Sequence, residues 1–305
     1  MSCKLISVPF ELGQPVAGCA LGPEALKNAG LGEALQDLGH DVDDLGAIPA
    51  PEPRAVPDHP NRLKHLREVS AWIEAIAAKA YEASADGLPI FLGGDHSISA
   101  GSVSGLARRA AEQGKPFFVL WMDAHSDLHT LNTTTSGNLH GVPLAYLAGM
   151  PGFDGYFPPL AAPLVQEHVC ILGLRSVDKA EKDALAASQF RAYDMSDIDR
   201  RGVAPLLESF LQEVRDADGL LHVSFDIDFL DPSLVPGVGT PVQGGATFRE
   251  AHLAMEMLHE SGLVTSLDVV ELNPTLDENG RTAALANELV SSLFGKTITG
   301  KKRVA

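Results

Sequence analysis

Short apolar runs alternate with longer amphipathic stretches along the chain. Six of the apolar runs predict strands, at residues 5–9, 89–92, 117–122, 169–174, 220–225 and 264–270. Most of these runs are apolar throughout, which is typical of parallel strands covered by helices on both faces. The alternation of strands and helices predicts an α/β fold with a mostly parallel sheet flanked by helices.

Four stretches with apolar residues at helical spacing predict helices, at residues 22–38, 62–81, 247–262 and 284–293. Their ends carry typical terminal residues. Pro23 suits a first helical turn, and Thr247 with Glu250 forms a capping box. Gly262 is typical of the residue that follows a helix.

Nothing in the sequence indicates a second domain. The chain has 305 residues, of which 45% are hydrophobic, and this is enough for a large buried core. The Pro-rich residues 51–60 and the Gly/Pro-rich residues 149–163 predict surface loops. We therefore predict one domain over residues 1–305, with a flexible, solvated tail from about residue 296 that carries Lys301, Lys302 and Arg303.

Charge and composition argue against several kinds of partner. Forty acidic and 23 basic residues give a net charge of −17, which repels nucleic acid and anionic membranes. The chain has no apolar stretch long enough to span a membrane and no signal-peptide pattern at its N-terminus, so we expect a cytoplasmic protein. Cys3, Cys19 and Cys170 lack the spacing of a disulfide framework or a zinc site and predict buried free thiols.

Three of the predicted strands are followed by residues that can bind metal ions. His96 comes after the strand at 89–92, and Asp226 and Asp228 come after the strand at 220–225. The carboxyl ends of parallel strands form the usual ligand site of an open sheet. Alternate side chains of an extended chain point the same way, so we expect the acidic and histidine side chains within each such segment to lie close together. The third segment, after residues 117–122, contains Asp123, His125 and Asp127.

Carboxylates crowded at the mouth of a hydrophobic sheet repel one another unless a cation neutralises them. Four carboxylates with His96 and His125 suit divalent ions such as Mn²⁺, and they are enough for two ions. A single aspartate after a strand is more often a turn former or helix cap, and we expect Asp95 and Asp231 to be of that kind. Three strand ends of this composition together predict a shared metal site.

The segments GGDHS, DAHSD and SFDIDFLDP resemble the ureohydrolase superfamily, whose members hydrolyse guanidinium groups at a two-manganese centre. The SGNLHG segment at 136–141, the PGVGTPV segment at 236–242 and the VELNP segment at 270–274 resemble the arginase family within it. This resemblance covers nearly the whole chain. It implies a three-layer α/β/α domain, hydrolysis of L-arginine to L-ornithine and urea, two Mn²⁺ ions per subunit, and a homotrimer or homohexamer.

The resemblance also implies roles for residues of the reaction centre. A hydroxide shared by both ions would be the nucleophile, with Asp127 beside it. Glu271 would bind the guanidinium group, and His140 would carry a proton to the leaving nitrogen. In the implied ligand set, His96 and Asp127 hold one ion, His125 and Asp228 hold the other, and Asp123 and Asp226 bridge the two.

For the amino-acid end of the substrate, Ser136 and Asn138 match residues that bind the α-carboxylate. Asp178 and Glu181 match residues near the α-amino group, and they also form a capping box, which is compatible with that role. Thr240 matches a residue that lines the guanidinium end.

His129 departs from the family pattern, because many arginases have asparagine at this position. A histidine can still donate a hydrogen bond to a substrate carboxylate, but its reach and charge differ. Arg249 and Glu250 match positions that form an intersubunit contact in relatives, although the capping box already accounts for Glu250.

Two alternatives remain open. An agmatinase acts on arginine that lacks its carboxylate, but agmatinases lack SGNLHG, and their glutamate is not usually followed by Leu-Asn-Pro. An inactive homologue that binds metal as a regulatory protein would be expected to have lost some site residues. All six ligand positions, Glu271 and His140 are present here, which favours an active enzyme.

Overall fold

Eight strands form one sheet in the computed structural model, which describes residues 1–297. All neighbouring strands pair in parallel, in the order β2-β1-β3-β8-β7-β4-β5-β6. The strands are β1 (Ser2–Val8), β2 (Asp41–Ala47), β3 (Leu88–Gly93), β4 (Phe117–Met122), β5 (Val169–Leu174), β6 (Arg191–Asp194), β7 (Leu220–Asp226) and β8 (Val264–Val270).

Helices connect the strands and cover the sheet. Within the described residues they are α1 (Gly22–Asn28), α2 (Leu31–Asp37), α3 (Leu66–Ala83), α4 (Ser99–Glu112), α5 (Pro143–Leu147), α6 (Lys179–Ala187), α7 (Met195–Arg201), α8 (Val203–Asp216), α9 (Phe248–Ser261) and α10 (Arg281–Leu293). None of these helices combines the length and hydropathy that a membrane span requires. Most of the predicted tail, at residues 298–305, lies outside the described part of the chain.

The core divides into two hydrophobic layers, one on each face of the sheet. In β4, Phe118, Leu120 and Met122 belong to one layer, while Val119 and Trp121 belong to the other. The first layer packs against α1, α2, α8, α9 and α10, and the second packs against α3, α4 and α5. Both faces of the central strands are thus buried, which explains their continuous apolar runs. The predicted three-layer α/β/α architecture is confirmed.

The six predicted strands are confirmed, but two strands were not predicted. These are β2 and β6, which form the two edges of the sheet. The sequence of β2, DVDDLGA, contains three aspartates, and none of the residues of β2 or β6 is fully buried. An edge strand can remain partly solvated, so its sequence lacks the apolar run that identifies a central strand.

The helix predictions hold with two corrections. The predicted helix at 22–38 is two helices, because Gly30 adopts a left-handed conformation with φ 88° between α1 and α2. The predicted helix at 62–81 begins only at Leu66, because His65 has φ 51°. The capping box before α9 and the left-handed Gly262 after it are confirmed.

Two helical glycines are expected to respond oppositely to substitution by alanine. A Cβ atom on Gly105 of α4 would overlap the carbonyl oxygen of Ala77 in α3, whereas one on Gly32 of α2 would lie 3.8 Å from Leu5 Cδ1, an ordinary contact. We expect Gly105→Ala to lower the free energy of unfolding by about 1–3 kcal/mol. Gly32→Ala should leave it unchanged or raise it by up to about 1 kcal/mol. Chemical denaturation at equal metal loading measures both values, and equal effects would contradict the packing argument.

Candidate metal centre and adjoining cavity

The candidate ligands lie at the carboxyl ends of four adjacent strands, which form one end of the sheet. The order β3-β8-β7-β4 places their carboxyl ends side by side. His96 follows β3, Asp123 follows β4, and Asp226 is the last residue of β7. Glu271 follows β8 directly, at the same edge. The edge of the parallel sheet therefore collects these polar side chains from distant parts of the sequence, as expected.

The chain turns at this edge and does not continue in the extended conformation that the sequence predicted. Asp123 Oδ1 accepts a hydrogen bond from the His125 backbone N–H at 2.7 Å, and Asp226 Oδ1 accepts one from Asp228 N–H at 2.7 Å. Asp127 has a left-handed backbone with φ 51°. The side chains converge as predicted, but local turns and one strained residue bring them together.

The first ligand cluster is centred on the imidazole of His96. His96 Nδ1 lies 3.0 Å from Asp123 Oδ2, 3.1 Å from Asp226 Oδ2 and 3.2 Å from Asp127 Oδ2. All four residues are buried, and among residues 1–297 neither His96 Nδ1 nor Asp127 Oδ2 has a hydrogen-bond partner. Adjacent ligands of an octahedral ion with bonds of about 2.1 Å are about 3 Å apart. The orphaned atoms and their spacing fit a metal ion bound between them.

A second cluster lies beside the first and shares one carboxylate with it. His125 Nδ1 is 3.3 Å from Asp123 Oδ1 and 3.1 Å from Asp228 Oδ2. Asp123 therefore faces both clusters, with a different oxygen toward each. Imidazole and carboxylate ligands without thiolate suit borderline or hard divalent ions. The two groups could hold two such ions side by side.

Charge repulsion perturbs the titration of the cluster. Burial, followed by the nearby charge of Asp123, raises the pKa of Asp127 well above its usual range. Burial together with Asp228 and Asp123 does the same to the pKa of Asp226. Burial alone would lower the pKa of His96, but the surrounding carboxylates outweigh it and raise that pKa. Two imidazoles cannot neutralise four buried carboxylates, so the site must gain either protons or cations.

His140 and Glu271 form a pair next to the first cluster. His140 Nδ1 lies 3.1 Å from Glu271 Oε1, which also accepts a hydrogen bond from the His96 backbone N–H at 2.9 Å. Burial lowers the pKa of His140, but the hydrogen bond and charge of Glu271 outweigh it and raise that pKa to about 9. Glu271 is buried and has φ 66°. A non-glycine residue in this conformation typically costs about 1–3 kcal/mol and is most common at functional sites.

A cavity of about 180 Å³ opens above the clusters. Thr240 at its wall donates a hydrogen bond from Oγ1 to Asp228 Oδ2 at 3.2 Å. All the residues that the resemblance assigned to substrate binding, apart from Glu271, line this cavity: His129, Ser136, Asn138, Asp178, Glu181 and Thr240.

One wall of the cavity carries an acidic group with a histidine. The capping box predicted at the start of α6 is confirmed, since Asp178 Oδ1 accepts the Glu181 N–H and Glu181 Oε2 accepts the Asp178 N–H, both at 3.0 Å. Glu181 Oε1 accepts the Ser126 hydroxyl at 2.7 Å. His129 Nε2 lies 2.9 Å from Asp178 Oδ2. His129, Asp178 and Glu181 together form a third group that could hold a cation.

Sequence reasoning missed two residues that support the first cluster. The Trp121 ring stacks on His96 with centroids 4.2 Å apart, and its Nε1–H donates to Asp123 Oδ2 at 3.1 Å. Ser224 Oγ lies 2.9 Å from His96 Nε2. Each of these residues lies on a strand two positions before an aspartate of the site, so strand alternation could have identified both.

The turn and capping roles predicted for Asp95 and Asp231 are confirmed. Asp95 Oδ1 accepts the Ser97 N–H at 3.0 Å, and Asp231 Oδ1 accepts the Ser233 N–H at 3.0 Å. Glu250 completes the capping box of α9. The predicted intersubunit role of Arg249 and Glu250 stays a prediction.

Comparison with known proteins agrees with this geometry. The model of the arginase family matches residues 1–295. An arginase of Brucella melitensis is 56% identical over 306 residues, covering 100% of both chains. The arginase structure of Bacillus caldovelox has a TM-score of 0.87 at 39% identity, covering 97% of this chain and 99% of that one. The Entamoeba histolytica arginase in complex with L-ornithine has a TM-score of 0.87 at 29% identity, covering 97% and 99%. This chain belongs to the arginase family and is a hydrolase.

Proposed function

We propose that this protein hydrolyses L-arginine to L-ornithine and urea at a centre of two Mn²⁺ ions. One observation carries the proposal: a single cavity has the two histidine–carboxylate clusters at its floor and the acidic pair Asp178 and Glu181 at its wall. A guanidinium group at the floor and an α-ammonium group at the wall match the two ends of L-arginine. The relative from Entamoeba histolytica was crystallised with L-ornithine.

His96, His125 and four aspartates would hold the ions, with Asp123 facing both. Bound divalent ions activate water as a nucleophile at neutral pH. Asp127 lies beside this position and would accept a hydrogen bond from the attacking water, holding it in line.

Glu271 would bind the substrate guanidinium. A buried carboxylate needs a cationic partner, and a guanidinium group is permanently charged and pairs with carboxylates through two parallel hydrogen bonds. A guanidinium group bound there would lie close to His140, whose Nδ1 is 3.1 Å from Glu271 Oε1. With a pKa of about 9, His140 is protonated at neutral pH and can donate a proton as the carbon–nitrogen bond breaks. The water oxygen would form a bond to the guanidino carbon, and the bond from that carbon to the side-chain nitrogen would break, so that the carbon leaves as urea and the protonated amine leaves as ornithine.

The far end of the cavity would select the amino-acid part of the substrate. Ser136 and Asn138 offer hydrogen-bond donors for an α-carboxylate, and Asp178 and Glu181 offer acceptors for an α-ammonium group. His129 contacts Asp178 and not Ser136 or Asn138, which would bind the substrate α-carboxylate. We therefore assign His129 to orienting Asp178. The contact differs from the role that the sequence suggested for His129.

Assembly into a homotrimer or homohexamer and a cytoplasmic location remain predictions from the sequence. Both are compatible with the proposed reaction on a small dissolved substrate.

The first prediction concerns metal content. Asp226 Oδ1 caps the following turn, while Oδ2 faces His96, so Asp226→Asn can preserve the fold while replacing the facing oxygen with an amide. We expect loss of most activity and of at least one manganese ion per subunit, measured by elemental analysis after gel filtration, and the same for Asp123→Asn. Asp231→Asn, with the same charge change in a half-buried turn outside both clusters, should retain both ions. Full metal retention in Asp226→Asn would exclude its bridging role.

The second prediction concerns His140. If this residue donates the proton to the leaving nitrogen, His140→Ala should lower kcat by roughly two orders of magnitude while metal content stays unchanged. His40→Ala is the control, because His40 lies just before β2, at the amino ends of the strands, whereas the site lies at their carboxyl ends. A change in kcat below about threefold, or a loss fully explained by missing metal, would remove His140 from this role.

The third prediction concerns the substrate. Urea release from L-arginine, agmatine and 4-guanidinobutyrate is measured in parallel with the manganese-loaded protein. A site with donors and acceptors for both α-groups leaves polar atoms unpaired when either group is missing, so L-arginine should lead in kcat/KM by at least about a hundredfold. Asn138→Ala should reduce the lead of L-arginine over agmatine. Equal or faster cleavage of agmatine would overturn the assignment.

A further inference from the structure

Lys64, which lies just before α3, contacts the loop that carries Ser136 and Asn138. Lys64 Nζ donates to Asn138 Oδ1 at 2.8 Å, and the Lys64 backbone N–H donates to Gly137 O at 2.9 Å. Gly137 has φ 73°, and a Cβ atom there would overlap the carbonyl oxygen of Arg62. The segment before α3 is therefore hydrogen-bonded, through its backbone and through the Lys64 side chain, to the loop of Ser136 and Asn138 that lines one wall of the cavity.

The contact fixes which way the Asn138 amide points. An ammonium group only donates hydrogen bonds, so the amide oxygen must face Lys64. The amide nitrogen then points away from Lys64 and offers two donor hydrogens, in a side chain that lines the cavity. Ser136 lies next to it, with its Oγ accepting the Asn138 N–H at 3.2 Å. The Ser136 hydroxyl lies 3.4 Å from Thr134 Oγ1, and when the Thr134 hydroxyl donates in that pair, the Ser136 hydrogen is available to a substrate. Together with the Asn138 amide, this wall therefore offers donors suited to a carboxylate.

Lys64 also differs from most lysines of this protein in its partner. Within residues 1–297, six of the eight lysines pair with a carboxylate, and Lys64 bonds the neutral amide of Asn138 instead. Its charge is thus not compensated by a partner among the described residues, in a chain of net charge −17. An isolated positive charge beside the cavity attracts an anionic group and repels a second cation.

We propose that Lys64 is a specificity-determining residue that makes the cavity select guanidino substrates with a carboxylate over dicationic ones such as agmatine. It acts in two ways, by holding the Asn138 amide with its donors toward the substrate and by supplying positive charge at the carboxylate end. The inference rests on the proposed function, and it assigns carboxylate recognition to a pair of residues 74 positions apart in the sequence.

Three compounds separate the contributions of the substrate's α-carboxylate and α-amino groups to kcat/KM. L-Arginine has both α-groups, agmatine lacks the carboxylate, and 5-guanidinopentanoate lacks the amine. For Lys64→Met we expect kcat/KM to fall about three- to tenfold for both carboxylate-bearing compounds, mainly through KM, and to stay constant or rise for agmatine. Calorimetry should give a Kd for L-ornithine that is weaker by a similar factor. Lys64→Arg, which keeps the charge and donors, should retain at least half of the selectivity.

The matched control is Lys115→Met, which removes the same charge. Lys115 precedes β4 at the amino edge of the sheet, opposite the cavity, and pairs with Asp218. Its selectivity should equal that of the wild type. Added salt should lower the ratio of L-arginine to agmatine cleavage in the wild type more than in Lys64→Met, because salt screens exposed charges.

The outcomes distinguish this inference from the function on which it rests. If the wild type cleaves L-arginine but Lys64→Met changes L-arginine and agmatine equally, Lys64 has no role in selectivity and the proposed function stands. If the wild type releases no urea from L-arginine, both proposals fall. A loss confined to the carboxylate-bearing compounds, absent in Lys115→Met and rescued by Lys64→Arg, would establish the inference.

Discussion

Repulsion among four buried carboxylates at the carboxyl edge of the sheet is the constraint on which the rest of the structure depends. Hydrophobic packing forces the contact, because β7 and β4 are neighbours in a core that buries both of their faces. Asp123 directly follows β4 and Asp226 ends β7, so the two residues cannot move apart without disturbing that packing. The site therefore needs protons or cations, and under the proposed function metal binding should contribute to the stability of the folded protein. A stable apolar sheet is what holds such an unfavourable arrangement of charges.

The precision of the site depends on residues that do not face the cavity directly. Trp121 and Ser224 together hold the His96 ring, Trp121 by stacking on its face and Ser224 by a contact to Nε2. Asp127 and Glu271 adopt left-handed backbone conformations, which the packed strands before them must stabilise. Strain at these two positions aims the carboxylates at points that relaxed backbone would not reach. The fold thus places the acidic groups, and this supporting layer orients them.

The sequence predicted the central strands and the metal cluster better than the edge strands and the contacts between loops. Strands such as β4 have unbroken apolar runs because both faces are buried, whereas β2 and β6 lie at edges and lack this signal. Acidic and histidine residues after three strand ends were enough to predict the metal cluster. The contact of His129 with Asp178 was not predictable, because it depends on loop geometry that no periodicity encodes. The contact of Lys64 with Asn138 joins two loops far apart in sequence, and neither segment indicates its partner.

The two walls at the far end of the cavity have opposite polarity, and they belong to different parts of the chain. Asp178 and Glu181 are fixed at the first turn of α6 by their own capping box, which keeps both carboxylates in place without substrate. Asn138 depends on a more distant support, the exposed side chain of Lys64. A change at the carboxylate wall can therefore alter substrate choice without touching the metal ligands or the core. Under the proposed function, selectivity between guanidino substrates is governed by loops and by the first turn of α6, while the chemistry common to all of them is governed by the strand ends.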